Sequence, residues 1–203
     1  MRMERPEANI EWDYEGRPDF SSGTGATRAE RTLALIGAVA AAAAVLAAAW
    51  FREAGWNAAQ LAVATALAFD VGGGLVSNAM NSCKRFYHTP TKPEEGKLGA
   101  ILKSPALFSA AHVHPIAAAL VFEPDRWASY GLAWYLLLML SVLVVLRSPL
   151  YLRRPVSFLA IMLATFANAY AIPVVTGMEW LVPLLFIKIV YGHIVREEPY
   201  RPT

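Results

Sequence analysis

Charged residues are scarce in this chain, cysteine is nearly absent, and none of the short motifs that announce a familiar chemistry occurs. Asp, Glu, Lys and Arg make up 17% of the 203 residues, against about 25% in an ordinary soluble domain. The deficit falls in blocks, for nothing between Thr32 and Phe51 ionises. The single cysteine, Cys83, excludes an intrachain disulfide and leaves the redox compartment unread. Without Gly-x-Ser-x-Gly, Cys-x-x-Cys, a Walker loop or His-Glu-x-x-His, a serine elbow, a thiol redox centre, a phosphate loop and a zincin helix are all unsupported. A formal net charge of +2 gives no electrostatic case for a nucleic-acid partner.

What is present is apolar. Hydrophobic residues make up 56% of the chain, and about 20 of them at roughly 1.5 Å rise cross a bilayer core. Six segments fit: 32–51, 57–82, 99–122, 127–147, 155–175 and 178–195. Short linkers between them favour antiparallel neighbours. The expected fold class is therefore all-α, a polytopic bundle of six transmembrane helices over residues 31–196. Residues 1–30 read as a flexible polar tail, and 197–203 as a short second tail. The first 31 residues carry seven acidic and five basic side chains, which does not suit the short basic leader of a signal peptide.

Lys and Arg fix the expected direction. One set of connections holds Arg17, Arg28, Arg31, Lys84, Arg85, Lys92, Lys97, Arg147, Arg153, Arg154, Arg196 and Arg201; the other holds Arg52 and Arg126. An excess of this kind marks the cytoplasmic side, so both termini are expected there, in a bacterial cytoplasmic membrane. Trp50, Trp56, Trp127 and Trp180 all fall at span ends on the poorly charged side, where amphipathic indoles favour the interface. The alanine-rich first span suits close backbone contact between helices in lipid.

Against this background "FDVGGGLVSNAMNSCKRFYHTP" is anomalous. Asp70 is expected about 18 Å deep, where a carboxylate costs from about 2.5 to over 10 kcal/mol unless it is neutralised, paired, metal-bound or wet. At helical spacing Asp70, Gly74, Ser77 and Asn81 share a stripe, with Asn78 beside it. Gly72, Gly73 and Gly74 allow either tight packing or local unwinding. His112 and His114 fall at a similar depth. Two apart, they point about 200° away from each other, and serve one site only if Pro115 distorts the turn. Ser104-Pro105 looks like a cap and first helical position. Asn168 and Lys188 add polar groups from the fifth and sixth spans.

Together these residues describe a polar funnel open to the cytoplasm. Asp70, His112 and His114 are its candidate acid–base residues, or ligands of a divalent metal. Ser77, Asn78, Asn81, Asn168 and Lys188 are candidate substrate contacts, and Lys84, Arg85 and His88 are candidate contacts to an anionic lipid head group. Each has a plainer reading: Asp70 pairing with Lys188, the asparagines as interhelical glue, and Lys84, Arg85 and His88 serving topology alone. Histidines at matching depth for a haem are wanting, because His193 is too shallow. Three functions follow: an intramembrane enzyme acting on a lipid or other hydrophobic substrate, a small proton-coupled carrier, or an assembly subunit. Lack of similarity between the two halves weighs against the carrier, and oligomeric state is not legible.

Overall fold

A computed structural model describes residues 9–201. Among them the chain is all-helical, with no strand beyond an isolated bridge between Ile10 and Tyr200. Five segments are long and apolar enough to cross a membrane: Arg28–Phe51, Ala58–Ala79, Pro105–Phe122, Pro124–Arg147 and Leu150–Tyr170. A sixth apolar helix, Leu181–His193, is shorter. At about 1.5 Å per residue it spans only some 20 Å. Leu181, Val182, Leu185, Ile189 and Val190 are all fully buried, so protein surrounds it and no bilayer thickness has to be matched.

The helices are α1 (Arg28–Phe51), α2 (Ala58–Ala79), α3 (Asn81–Tyr87), α4 (Gly96–Lys103), α5 (Pro105–Ala110), α6 (His114–Phe122), α7 (Ala133–Arg147), α8 (Arg153–Tyr170) and α9 (Leu181–Phe186). A π-helical turn, Trp127–Leu132, leads into α7, and another, Ile187–His193, extends α9. Thr27 and Glu30 form a reciprocal capping box at the start of α1, as Asn57 and Gln60 do for α2. Leu35, Ile36 and Val39 on α1, Leu136 and Leu140 on α7, and Leu159, Leu163 and Phe166 on α8 are exposed. Such a belt on several helices is the surface that lipid would cover.

Three segment boundaries differ from the expected ones. The span 57–82 stops at Ala79, because Met80 is extended (φ −73°, ψ 149°) and α3 starts afresh. The span 99–122 is three helices: α4 ends at Ser104, whose hydroxyl caps α5, and the chain breaks again at 111–113. The span 155–175 ends at Tyr170, consistent with Pro173 disfavouring helix in the residue before it.

The glycine run in α2 is continuous helix, so it serves packing rather than unwinding. A β-carbon on Gly72 would sit 2.7 Å from the Gly37 carbonyl oxygen and 2.3 Å from Ala41 Cβ. These small residues let α1 and α2 lie backbone to backbone, as van der Waals association in lipid requires.

Residues 9–27, expected as flexible tail, fold across one end of the bundle. Tyr14, Ser22, Thr24 and Ala26 are buried. Gly23 (φ +79°) packs so tightly on α3 that a β-carbon would meet the Ser82 backbone at 2.4 Å. The Ser82 hydroxyl donates to the Ser22 carbonyl at 2.6 Å. Contacts sort the connections between the two ends. Arg201 donates to Glu11 and Asp13, and Arg154 pairs with Glu197. At the far end Arg52 pairs with Glu179, and Arg126 donates to the Val174 carbonyl.

Candidate functional site

Asp70 sits mid-way along α2, about 14 Å from its C-terminal end at helical rise. Two groups from other segments bond its Oδ2: His114 Nε2 at 2.7 Å and Lys188 Nζ at 2.5 Å. Lys188 also reaches the Asp70 carbonyl at 3.3 Å. A carboxylate in lipid is costly alone, and a paired ammonium removes most of that cost. Lys188 threads past α2 only because residue 74 is glycine; a β-carbon there would lie 2.2 Å from Lys188 Cε. Here the glycine has a definite role, which composition could not distinguish from helix packing.

The break between α5 and α6 solves the two-histidine problem. Val113 leaves helical geometry (ψ 18°), and His114 begins α6 with Pro115 behind it. The two imidazoles then stack in parallel, with centroids 5.1 Å apart and planes 13° apart. His112 Nδ1 lies 2.7 Å from the Phe108 carbonyl oxygen. A carbonyl only accepts, so Nδ1 carries the proton and Nε2 keeps its lone pair. His114 Nε2 donates to Asp70 in the same way, and its Nδ1 is buried with no partner among the described residues.

The cluster opens onto a cleft of about 480 Å³, within the usual range for ligand pockets. Its floor is Gly73, Gly74, Ser77, Asn78 and Lys188; one wall is Ala34, Leu35 and Ala38 of α1, and the other Tyr87, Phe108 and His112. Phe20, Ser21, Ser22 and Arg31 line the end where the N-terminal segment packs. The Asp70 side chain is 53% exposed, and Leu35 and Phe69 at the cleft's edge are exposed too. The cleft is therefore open beside exposed apolar residues of α1 and α2, and its lining continues to the end where the N-terminal segment packs.

Not all candidates meet there. Ser77 and Asn78 line the cleft, and the Asn78 amide donates to the Lys188 carbonyl at 3.2 Å, holding the lysine's backbone. Asn81 lies beyond the Met80 break, so it leaves the Asp70 stripe and accepts from the Tyr200 amide at 3.0 Å. Lys84 is fully buried, its amine donating to the Gly192 and Val195 carbonyls at 2.6 and 2.8 Å. Burial lowers that amine to about 8, with Glu197 opposing. Arg85 is buried away from the cleft lining. His88 is half-buried, and burial followed by the charges of Lys84, Arg196 and Arg153 pushes its imidazole down to about 3. Asn168, expected as a substrate contact, lies two residues before the end of α8, and its amide donates to the Glu179 carbonyl at the far end.

The donor set does not fit the divalent metal considered from sequence. Among the described residues no three His, Cys, Asp or Glu side chains are arranged to hold one.

Residues that sequence reasoning missed are Phe20, Ser21, Ser22, Arg31 and Phe108. Arg31, directly before the first apolar run, carried a usable signal as a residue at the membrane surface. The serines carried none, since only the fold-back of the N-terminal segment brings them near the cleft. These features are those of an all-helical chain with five helices long and apolar enough to cross a membrane and a polar cluster on an open cleft. No known protein family, curated protein or solved structure matches the chain.

Proposed function

We propose that this chain is an intramembrane enzyme that draws the polar head of a lipid-like molecule into the lateral cleft and acts on it by acid–base chemistry. The observation that carries the reading is the half-exposed Asp70 carboxylate, mid-helix, held by His114 and Lys188 on the cleft. A carboxylate serving packing alone gains by being closed off, since exposure to acyl chains is costly. His112 offers Nε2 as the base, a role that needs an unprotonated nitrogen within reach of the reacting proton. The Asp70–His114–Lys188 group anchors α2, α6 and the α9 extension around it. Leu35, Ala38 and Phe69 supply apolar wall for a chain, and entry from the side keeps that chain in the bilayer.

The orientation belongs to the same proposal: six membrane segments, with both termini and the N-terminal segment on the cytoplasmic side. Support comes from twelve Lys and Arg gathered at one end against Arg52 and Arg126 at the other. Expression of wild type, Asp70→Asn and His112→Ala in one host, with comparison of total lipid extracts, tests the reaction. A lipid species should change in abundance with wild type only. Identical profiles from all three would overturn the enzyme reading.

One observation favours a carrier instead: the break at 111–113 beside the polar cluster, since discontinuous helices mark transport sites. Proton-coupled uptake in proteoliposomes, lost in Asp70→Asn, would establish it over the enzyme.

A further inference from the structure

A molecule entering the cleft meets lone pairs first. Asp70 Oδ1 has no hydrogen-bond partner among the described residues, because both His114 and Lys188 bond Oδ2. His112 Nε2 also has none, and its proton sits on the other nitrogen, facing the Phe108 carbonyl. Both free positions accept hydrogen bonds.

Beside those acceptors, the donor that would welcome an anion is already committed. Lys188 Nζ is 2.5 Å from the Asp70 carboxylate. Arg31, at the surface end, has its charge balanced by Asp19, 3.5 Å from one nitrogen, and its side chain is 55% exposed. An anionic head would therefore face acceptors, and a cationic head would compete with Lys188 for a carboxylate that it already neutralises. Along the cleft the charges cancel in pairs.

We infer that the cleft selects an amphiphile whose head is an uncharged hydrogen-bond donor, a hydroxyl, over anionic or cationic heads. The inference rests on the lateral-cleft reading above and adds the substrate class. A hydroxyl donates to His112 Nε2 or Asp70 Oδ1, and it is the proton that a base at His112 would remove.

Native mass spectrometry of the full-length protein in detergent tests it with three single-chain probes: 1-monooleoylglycerol, 1-oleoyl-lysophosphatidic acid and oleylamine. The first two differ only by the phosphate. Monooleoylglycerol should bind about tenfold or more tighter than either, the scale set by one hydrogen bond to a charged or basic group. His112→Phe keeps the ring stack and should cost about tenfold in monooleoylglycerol binding alone. Leu35→Trp, an exposed position on the cleft wall, should block all three whether or not the histidine variant folds.

Equal or tighter binding of the lysophosphatidic acid or the amine overturns head selection and leaves the lateral cleft standing. Binding of no probe, or binding unaffected by Leu35→Trp, overturns the cleft reading as well.

Discussion

The molecule contains the same trio twice, a carboxylate, a lysine and a ring partner, in two different settings. At the surface, Glu95 of the loop before α4 pairs with Lys103 at 2.8 Å, and their side chains are 1% and 5% exposed. Tyr14 donates its hydroxyl to Glu95 and accepts from Lys103 at 2.6 Å. The Lys92 amide adds a further bond to Glu95 at 2.9 Å, and Lys103 also donates to the Pro90 carbonyl. Mid-way along α2, Asp70 is shared by Lys188 and His114, but its side chain is 53% exposed and one oxygen has no partner among the described residues. The first trio is closed and saturated, as a structural ion pair must be. The second is left open. The difference separates a latch for the N-terminal segment from a site.

Substitutions can break that contrast. Glu95→Gln strands Lys103 in a closed pocket, and should destabilise the protein by about 3–5 kcal/mol in detergent unfolding. A cost under about 1 kcal/mol would mean that the latch is as open as the site. Next, Gly74→Val places a side chain on the path of Lys188; overpacking of this kind costs about 1–3 kcal/mol. Because it also pushes the lysine from Asp70, the variant should lose activity along with stability. Third, Asp70→Asn leaves the buried Lys188 ammonium with an amide oxygen in place of its counter-charge and should cost about 1–3 kcal/mol, less than Glu95→Gln because the Asp70 side chain is half-exposed, while abolishing the lipid change seen with wild type. Equal stability losses at Glu95 and Asp70 would make both trios structural.

The smallest effect is a pH dependence that sharpens the latch. His88, held near 3 by burial and its cationic neighbours against an ordinary 6.5, binds fewer protons folded than unfolded. Stability from this group is therefore intact above about 6.5 and declines as pH falls towards 3. For Glu95, burial works against the charge, but the bonds from Lys103 and Tyr14 outweigh it and hold the carboxyl below its usual 4.5. Its contribution is present above that value and is lost on further acidification. Thermal unfolding temperature should fall in two stages on acidification, and His88→Phe should flatten the upper one.

Much of this was legible in the sequence. The hydrophobic runs located the helices, and Asp70 lies within the helix that the second run predicted. The pairing of Asp70 with Lys188 was foreseen as the plain alternative, and Pro115 identified the one place where both histidines could converge. The unread parts depend on single backbone angles or on contacts between distant segments. Met80 carries no breaker signature, yet its extended ψ takes Asn81 off the Asp70 stripe. Pro173 was a signal passed over, and with α8 ending at Tyr170 Asn168 lies in its last turn. The N-terminal segment looked like a polar tail because its anchoring groups, Tyr14 and Gly23, gain meaning only opposite Glu95, Lys103 and Ser82. Composition also could not show which way the cleft opens, since an amphipathic stripe gives no direction around the bundle.

Chemical labelling of a cysteine inside the cleft tests the openness of the Asp70 cluster most directly. In a Cys83→Ser background, which removes a thiol that is fully buried in wild type, Ala34→Cys places a small reactive group on the cleft wall. N-ethylmaleimide should modify it readily in vesicles, and 1-monooleoylglycerol should slow the reaction. A thiol at 34 that stays as silent as native Cys83, or one whose labelling the amphiphile leaves unchanged, would contradict the account.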